Sequence, residues 1–387
     1  MKFVKFMSLV LVLALCLTAF AGCGAVNYAE NNTKYVIGLS GPLTGGAAIY
    51  GVAVKNAAQM AIDEINAAGG LNGVMFELIA TDDMHDPTKV STNYSSLYEG
   101  GMQVSLGTVT TGPGLEFKNL SADDNVFFLT PSASGDDIPT NPNGYQMCFA
   151  DGNQGKVAAD FVNANYKGQT IGAIYKSDEA YSKGIYDQFK ENLDPSIVVV
   201  ETSFTDANAT NFSTQIDTLK DCKFIFMPTY YQPASLFMTQ AKDIIDPNAI
   251  YYGCDGFDGI DNIDGFDITT IPQEITMLSH FNSKATSGAA KEFIDKYVAK
   301  YGQDTLNQFG ASAYDCVYAI YGAMKKAIDA GEEIPVTISA SDLCEILKTQ
   351  FEGGYTYTNG VTGDNITWES TGYVNKEAIK YVIKEAN

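Results

Sequence analysis

Residues 34–65, KYVIGLSGPLTGGAAIYGVAVKNAAQMAIDEI, carry the pattern on which the fold turns. The apolar run 34–39 (KYVIGL) has strand character, and the cluster 40–46 (SGPLTGG) breaks it. Val54, Ala57, Ala58, Ala61, Ile62 and Ile65 then recur at i, i+3, i+4, i+7, i+8 and i+11, one face of a helix that stops at Gly69-Gly70. Outward from this unit the alternation repeats. Residues 75–80 regain strand character, Pro87 opens a helix towards Tyr98, and Gly100-Gly101 ends it. A strand at 104–106, a helix over 115–122 and a strand at 126–129 follow. Strand then helix, repeated, reads as a parallel sheet covered on both faces.

The pattern restarts after Asp151. Helices are expected over 153–165, 179–192, 212–219 and 234–244, and strands over 170–175 (TIGAIY), 197–200, 224–227 and 250–252. Two consecutive wraps of similar size predict an α/β protein with two Rossmann-like, doubly wound parallel-sheet lobes, each with its own core. The C-terminal third reads as helices over 285–301, 310–330 and 341–350, with a last helix near 376–385, dressing sheets already laid down. A length of 387 residues suits two domains of ordinary size, and no Pro-rich or Ser-rich linker divides them.

Residues 1–22 carry Lys2 and Lys5, an apolar run over 7–20, and Ala21-Gly22 directly before Cys23, the order of a secretory signal. The run is shorter than the roughly 18 residues of a good membrane span, which favours cleavage over permanent insertion. A-G-C resembles a bacterial lipobox, although Phe20 stands where leucine is usual. That resemblance implies an extracytoplasmic protein held at the cell membrane by lipid on Cys23, with 23–33 as a tether.

There are 24 basic and 46 acidic residues, and the net charge of −22 becomes −24 once Lys2 and Lys5 leave. Such a surface repels phosphate backbones and anionic lipid, which argues against a nucleic-acid partner. All 24 basic residues are lysine. Without the bidentate fork that arginine offers a phosphate or a second carboxylate, the ligand is expected to carry modest negative charge. Beyond Cys16 and Cys23, Cys148, Cys222, Cys254, Cys316 and Cys344 stand at wide spacings with no C-x-x-C pair. They suggest neither a zinc knuckle nor a redox motif, and are expected mostly as small buried hydrophobes.

In open parallel sheets, ligands sit beyond the carboxyl ends of the strands. The loops that follow the expected strands are 40–51 (SGPLTGGAAIYG), 107–114 (GTVTTGPG), 130–135 (TPSASG), 176–181 (KSDEAY), 228–233 (PTYYQP) and 253–258 (GCDGFD). Rich in hydroxyls and tyrosines, they would form a cleft if two lobes faced each other.

Those segments, in that order, resemble the leucine/isoleucine/valine-binding proteins that feed ABC transporters, members of the type I periplasmic-binding fold. The resemblance runs from about residue 34 to the end of the chain. G-P-L-T-G with Y-G after it, D-x-x-D-P at 83–87 and T-P-S-A-S at 130–134 are each weak alone, but their joint order and spacing are specific. The resemblance implies one lobe of 34–151 plus 280–361 and another of 152–279 plus 362–387, joined by a three-strand hinge crossing near Asp151, Ser279 and Thr362. It implies a monomer without cofactor or metal that delivers an amino acid, branched-chain or otherwise apolar, to membrane permease subunits. Residue by residue, it sets the ligand carboxylate on Thr111, Ser132 and Ser134 and the ammonium on Asp255. Tyr50, Tyr181 and Tyr231 wall the cleft, with Tyr230 an alternative to Tyr231. Hydroxyls and backbone N–H groups at helix N-termini can satisfy a carboxylate with no cation, so an arginine-free chain can bind an amino acid.

Plainer readings compete. Thr111, Ser132 and Ser134 could be N-caps, and most of the 23 tyrosines must serve packing. Asp255 could open a solvated acidic loop, since Asp258, Asp261, Asp264 and Asp267 follow, without the spacing or closing glutamate of a calcium loop. A secreted hydrolase finds little support. Only His85 and His280 are present, there is no G-x-S-x-G or H-E-x-x-H, and 152–156 (GNQGK) has the wrong spacing for a phosphate loop. A third reading keeps the fold but makes the protein a ligand sensor for a membrane receptor.

Overall fold

A computed structural model describes residues 26–140 and 142–386; the leader and Cys23 lie outside the described residues. The first sheet has the order β2-β1-β3-β4-β5, from β1 (Tyr35–Gly41), β2 (Phe76–Asp82), β3 (Val104–Ser105), β4 (Phe128–Thr130) and β5 (Gly144–Gln146), all paired in parallel. The second has the order β11-β10-β9-β8-β6-β7, from β6 (Thr170–Lys176), β7 (Val198–Phe204), β8 (Phe224–Met227), β9 (Ile250–Gly253), β10 (Glu274–Ser279) and β11 (Ile379–Lys384). The same winding thus occurs twice. Each sheet reverses its strand order beside its first strand, at β1/β3 and at β6/β8, which opens a crevice for a ligand. Every residue of β1 and β8 is buried, as expected for strands covered on both faces.

The connecting helices are α1 (Ala48–Ala67), α2 (Val90–Glu99), α3 (Thr111–Asp123), α4 (Asp151–Asn165), α5 (Ala180–Glu191), α6 (Ser213–Leu219) and α7 (Tyr231–Ala241). Three more, α8 (Gly288–Tyr301), α9 (Gln308–Asp329) and α10 (Ala340–Glu352), return to the first sheet, where α9 runs along α1. Small residues permit that approach. Ala53, Ala57, Ala58 and Ala61 of α1 are fully buried, and a Cβ on Gly310 of α9 would come within 3.1 Å of the Ala53 carbonyl. The chain passes between the two sheets three times, after β5, after β10 and between α10 and β11.

The end of the chain corrects the sequence reading. Residues 379–384 (IKYVIK) form an edge strand, not a helix, pairing antiparallel with β10 so that Ser279 faces Ile379 and Met277 faces Tyr381. Ile379, Tyr381 and Ile383 alternate with lysines and valine, a period-two pattern of β-formers that only the open edge of β10 could select. Lys380 and Lys384 discourage further strands from adding there. Cys148, Cys222, Cys254, Cys316 and Cys344 are all buried and unpaired. Among the described residues, no helix is long and apolar enough to cross a membrane.

Candidate functional site

The loops after the strands meet around a small cavity of about 10 Å³, room for little more than one water, lined by Tyr50, Val109, Thr110, Ser132, Ser134, Tyr181, Tyr230, Asp255 and Phe309. Tyr50 enters from the first turn of α1. That turn folds tightly under its own loop, since a Cβ on Gly51 would lie 2.2 Å from the Pro42 carbonyl, so only glycine fits. The Tyr50 hydroxyl crosses the cleft to donate to the Gly256 carbonyl at 2.6 Å.

Hydroxyls stitch the loops after β3 and β4 together. Thr130 Oγ1 donates to the Thr108 carbonyl at 2.8 Å, and Ser132 Oγ to the Val109 carbonyl at 2.5 Å. A hydroxyl has one proton, so Ser132 offers the cavity only its lone pairs. Thr111 Oγ1 lies 3.4 Å from Asp151 Oδ2, and Ser134 also donates to Asp151. Two of the three hydroxyls expected to meet a ligand carboxylate therefore serve an internal one. Beside them Thr110, the residue that precedes the first turn of α3, lines the cavity, so the partial positive charge of that helix end lies next to it.

Asp255 begins a 3₁₀ turn after β9 and is fully buried, whereas Asp261, Asp264 and Asp267 face solvent. Tyr181 donates to Asp255 Oδ1 at 2.6 Å while accepting from the Gly256 N–H at 2.9 Å. Burial pushes Asp255 up to about 6, although hydrogen bonds from Tyr181, Gln154 and the backbone pull it down. Gln154 links the two acids, its amide nitrogen 3.4 Å from Asp151 Oδ1 and its oxygen accepting from the Asp255 N–H at 2.9 Å. Burial, and then the charge of Asp255, hold Asp151 well above the usual carboxylate range.

Of the residues the sequence singled out, Tyr50, Ser132, Ser134, Tyr181, Tyr230 and Asp255 line the cavity, and Thr111 and Tyr231 do not. Consecutive residues at a helix start point different ways. Tyr230, the N-cap of α7, stacks on Tyr181 at 4.5 Å, while Tyr231 turns edge-on behind Tyr50 at 5.0 Å. Thr110, Phe309 and Asp151 were missed. Asp151 had a signal, an acidic residue at the first position of α4, but Phe309 reaches the cavity from α9, far along the chain. No group of three or more His, Cys, Asp or Glu among the described residues could hold a metal ion.

A family model described as periplasmic binding protein matches residues 34–375. The chain belongs to the periplasmic binding protein family. That is a family of binding proteins, not of enzymes. Among the relatives of this binding protein is the Leu/Ile/Val-binding protein BraC3 of Rhizobium johnstonii, 30% identical over 355 residues that cover 90% of this chain and 93% of that one. Another is the leucine-, isoleucine-, valine-, threonine- and alanine-binding protein of Pseudomonas aeruginosa, 30% identical over 81% of this chain and 84% of that one. In fold it is similar to the branched-chain amino acid transporter binding protein LivJ of Streptococcus pneumoniae, solved with isoleucine. The TM-score is 0.75 at 24% identity, covering 90% of this chain and 100% of that one. The leucine-binding protein LivK of Thermotoga maritima aligns with a TM-score of 0.76 at 20% identity, over 91% and 96% of the two chains.

Proposed function

We propose that this protein is the extracytoplasmic solute-binding lipoprotein of an ABC importer and that it captures a small amino acid, branched-chain or otherwise apolar, by closure of two lobes. The observation that carries the reading is the buried Asp255 lining the same small cavity as Ser132, Ser134 and Thr110, the residue at the N-cap of α3. A zwitterion fits that polarity. Its carboxylate meets helix N–H groups and the loops of Thr111, Ser132 and Ser134, and its ammonium meets Asp255, with the Ser132 lone pairs as a second acceptor. Tyr50, Tyr181, Tyr230 and Phe309 enclose an apolar side chain, with Tyr231 backing Tyr50. The names of the relatives point the same way.

In this reading the lobes are 34–151 plus 280–361 and 152–279 plus 362–387, hinged near Asp151, Ser279 and Thr362. A ligand shifts them only by binding the closed form better, and groups divided between the lobes supply that difference. The closed monomer is then read by permease subunits, with no cofactor in the binding step. Lipid on Cys23 holds the protein at the membrane, since several acyl chains at about 0.8 kcal/mol per buried CH₂ make a durable anchor; Cys23→Ser should move the protein from the membrane to the soluble fraction.

A thermal-shift panel of the twenty amino acids, with amides and small aromatic acids as comparators, tests the ligand class. A micromolar binder at millimolar concentration should stabilise the fold by about 4 kcal/mol. Stabilisation by none of the amino acids would overturn the reading.

A further inference from the structure

The D-x-x-D-P loop after β2 carries His85, to which amino-acid binding assigns no part. Asp82 Oδ1 accepts from the Leu43 and Met84 N–H groups at 2.8 and 3.0 Å; Asp83 accepts from the His85 N–H at 2.9 Å and from the Ser40 hydroxyl at 3.0 Å. Clamped in this way, Met84 and His85 both adopt left-handed backbone, with φ of 55° and 63°, a region that non-glycine residues avoid. The turn aims the imidazole across the mouth of the cleft. Its Nδ1 lies 2.9 Å from Thr110 Oγ1, on the loop leading into α3, and its Nε2 lies 3.1 Å from Glu179 Oε1, at the start of α5 on the second sheet. Tyr230 meets the ring edge-on at 5.2 Å.

The pair stands between cavity and solvent. His85, Lys176, Glu179 and Tyr230 line an open groove of about 360 Å³ outside, and Tyr230 also lines the inner cavity. The Glu179 side chain is only 9% exposed and that of His85 27%, so water screens their contact weakly. Lys176, 3.5 Å from Glu179 and 2.8 Å from Asp206, holds the carboxylate in place from its own lobe.

We propose that His85 and Glu179 form a latch that ties the two lobes together at the cleft mouth and sets how slowly a bound amino acid leaves. The proposal rests on the binding reading above and adds a positioning residue outside the cavity. The tie must break for a bound ligand to escape, and in the unliganded protein it also holds the lobes closed part of the time, so losing it speeds release and does not slow entry. Neutral or protonated imidazole can donate Nε2–H to Glu179, so the tie needs a particular tautomer but no charge.

The test is a double-mutant cycle on the detergent-solubilised full chain, with stopped-flow kinetics and L-leucine as the probe. His85→Ala and Glu179→Ala should each speed dissociation about 3- to 10-fold with association unchanged or faster, as expected for a largely shielded pair. The double variant should be no faster than either single one, and Glu179→Gln, which keeps an acceptor, should restore much of the slow release. Spin labels at exposed positions of the two lobes, through Glu116→Cys and Glu191→Cys, should report a longer inter-lobe distance in His85→Ala even before L-leucine is added. Additive effects on dissociation, or a slowed association with an unchanged distance, would overturn the latch. If the wild-type chain does not bind L-leucine, that specificity fails, while the inter-lobe distance still decides the latch.

Discussion

The two walls of the cavity treat charge in opposite ways. On the first-sheet side Thr111, Ser132 and Ser134 have their protons committed to Asp151 or to a carbonyl, and the wall is neutral apart from the helix end behind it. On the second-sheet side Asp255 is a full carboxylate, braced by Tyr181 and coupled through Gln154 to Asp151. In the proposed binding mode a dipolar ligand would rest on the first wall weakly and in a fixed direction, and would gain its strong partner only when the second arrives. Splitting the polarity between walls in this way would make closure depend on the ligand.

The sharpest way to break this contrast is Asp255→Asn, which would leave a buried ammonium without its anion. A cost of about 3–5 kcal/mol, roughly two to three and a half decades in affinity, is expected by calorimetry. An unchanged affinity would mean that the charge lies elsewhere.

A smaller effect comes from pH. Asp255 sits near 6 because burial disfavours its charge, and it attracts an ammonium only when ionised. Affinity should hold above pH 6 and weaken below it by up to about tenfold per unit, measured calorimetrically from pH 8 to 5. Folding of the unliganded protein should respond with the opposite sign. The folded value lies above that of an ordinary aspartate, so this group's contribution to stability is fully present at low pH and is lost as pH rises through about 6.

The smallest effect sharpens the neutral wall. Ser132→Ala removes an acceptor and leaves the Val109 carbonyl without its donor, for an expected loss of about 1 kcal/mol, or several-fold in affinity. A loss well beyond tenfold would show that the hydroxyl turns to donate to the ligand's carboxylate, because hydrogen bonds to charged groups are worth about 1.5–3 kcal/mol.

Much of this could be read before any coordinates. The helix face from Val54 to Ile65, the strand-breaking S-G-P-L-T-G-G and the second wrap after Asp151 are local patterns, and each formed an element close to where its period placed it. Asp255 stood out in the sequence because the proposed zwitterion needs one anion opposite its ammonium, and the structure buries it beside the cavity. Tyr230 against Tyr231 was not, because the choice depends on the angle at which α7 leaves its loop, and periodicity does not record that angle. Asp151 was visible only as a crossing point. Its place among Thr111, Ser134 and Gln154 appears once both sheets are built.

The sequence alone determined the two α/β wraps, the loops that would face a ligand and the acidic, all-lysine chemistry, because backbone preference and hydrophobic period act over a few residues. The tertiary structure alone decided that residues 379–384 become an edge strand, that Phe309 closes a cavity begun by Tyr50, and that His85 meets Glu179. Those outcomes depend on segments far apart in the chain being packed against one another, and a side chain's partner is set by that packing and not by its neighbours in sequence.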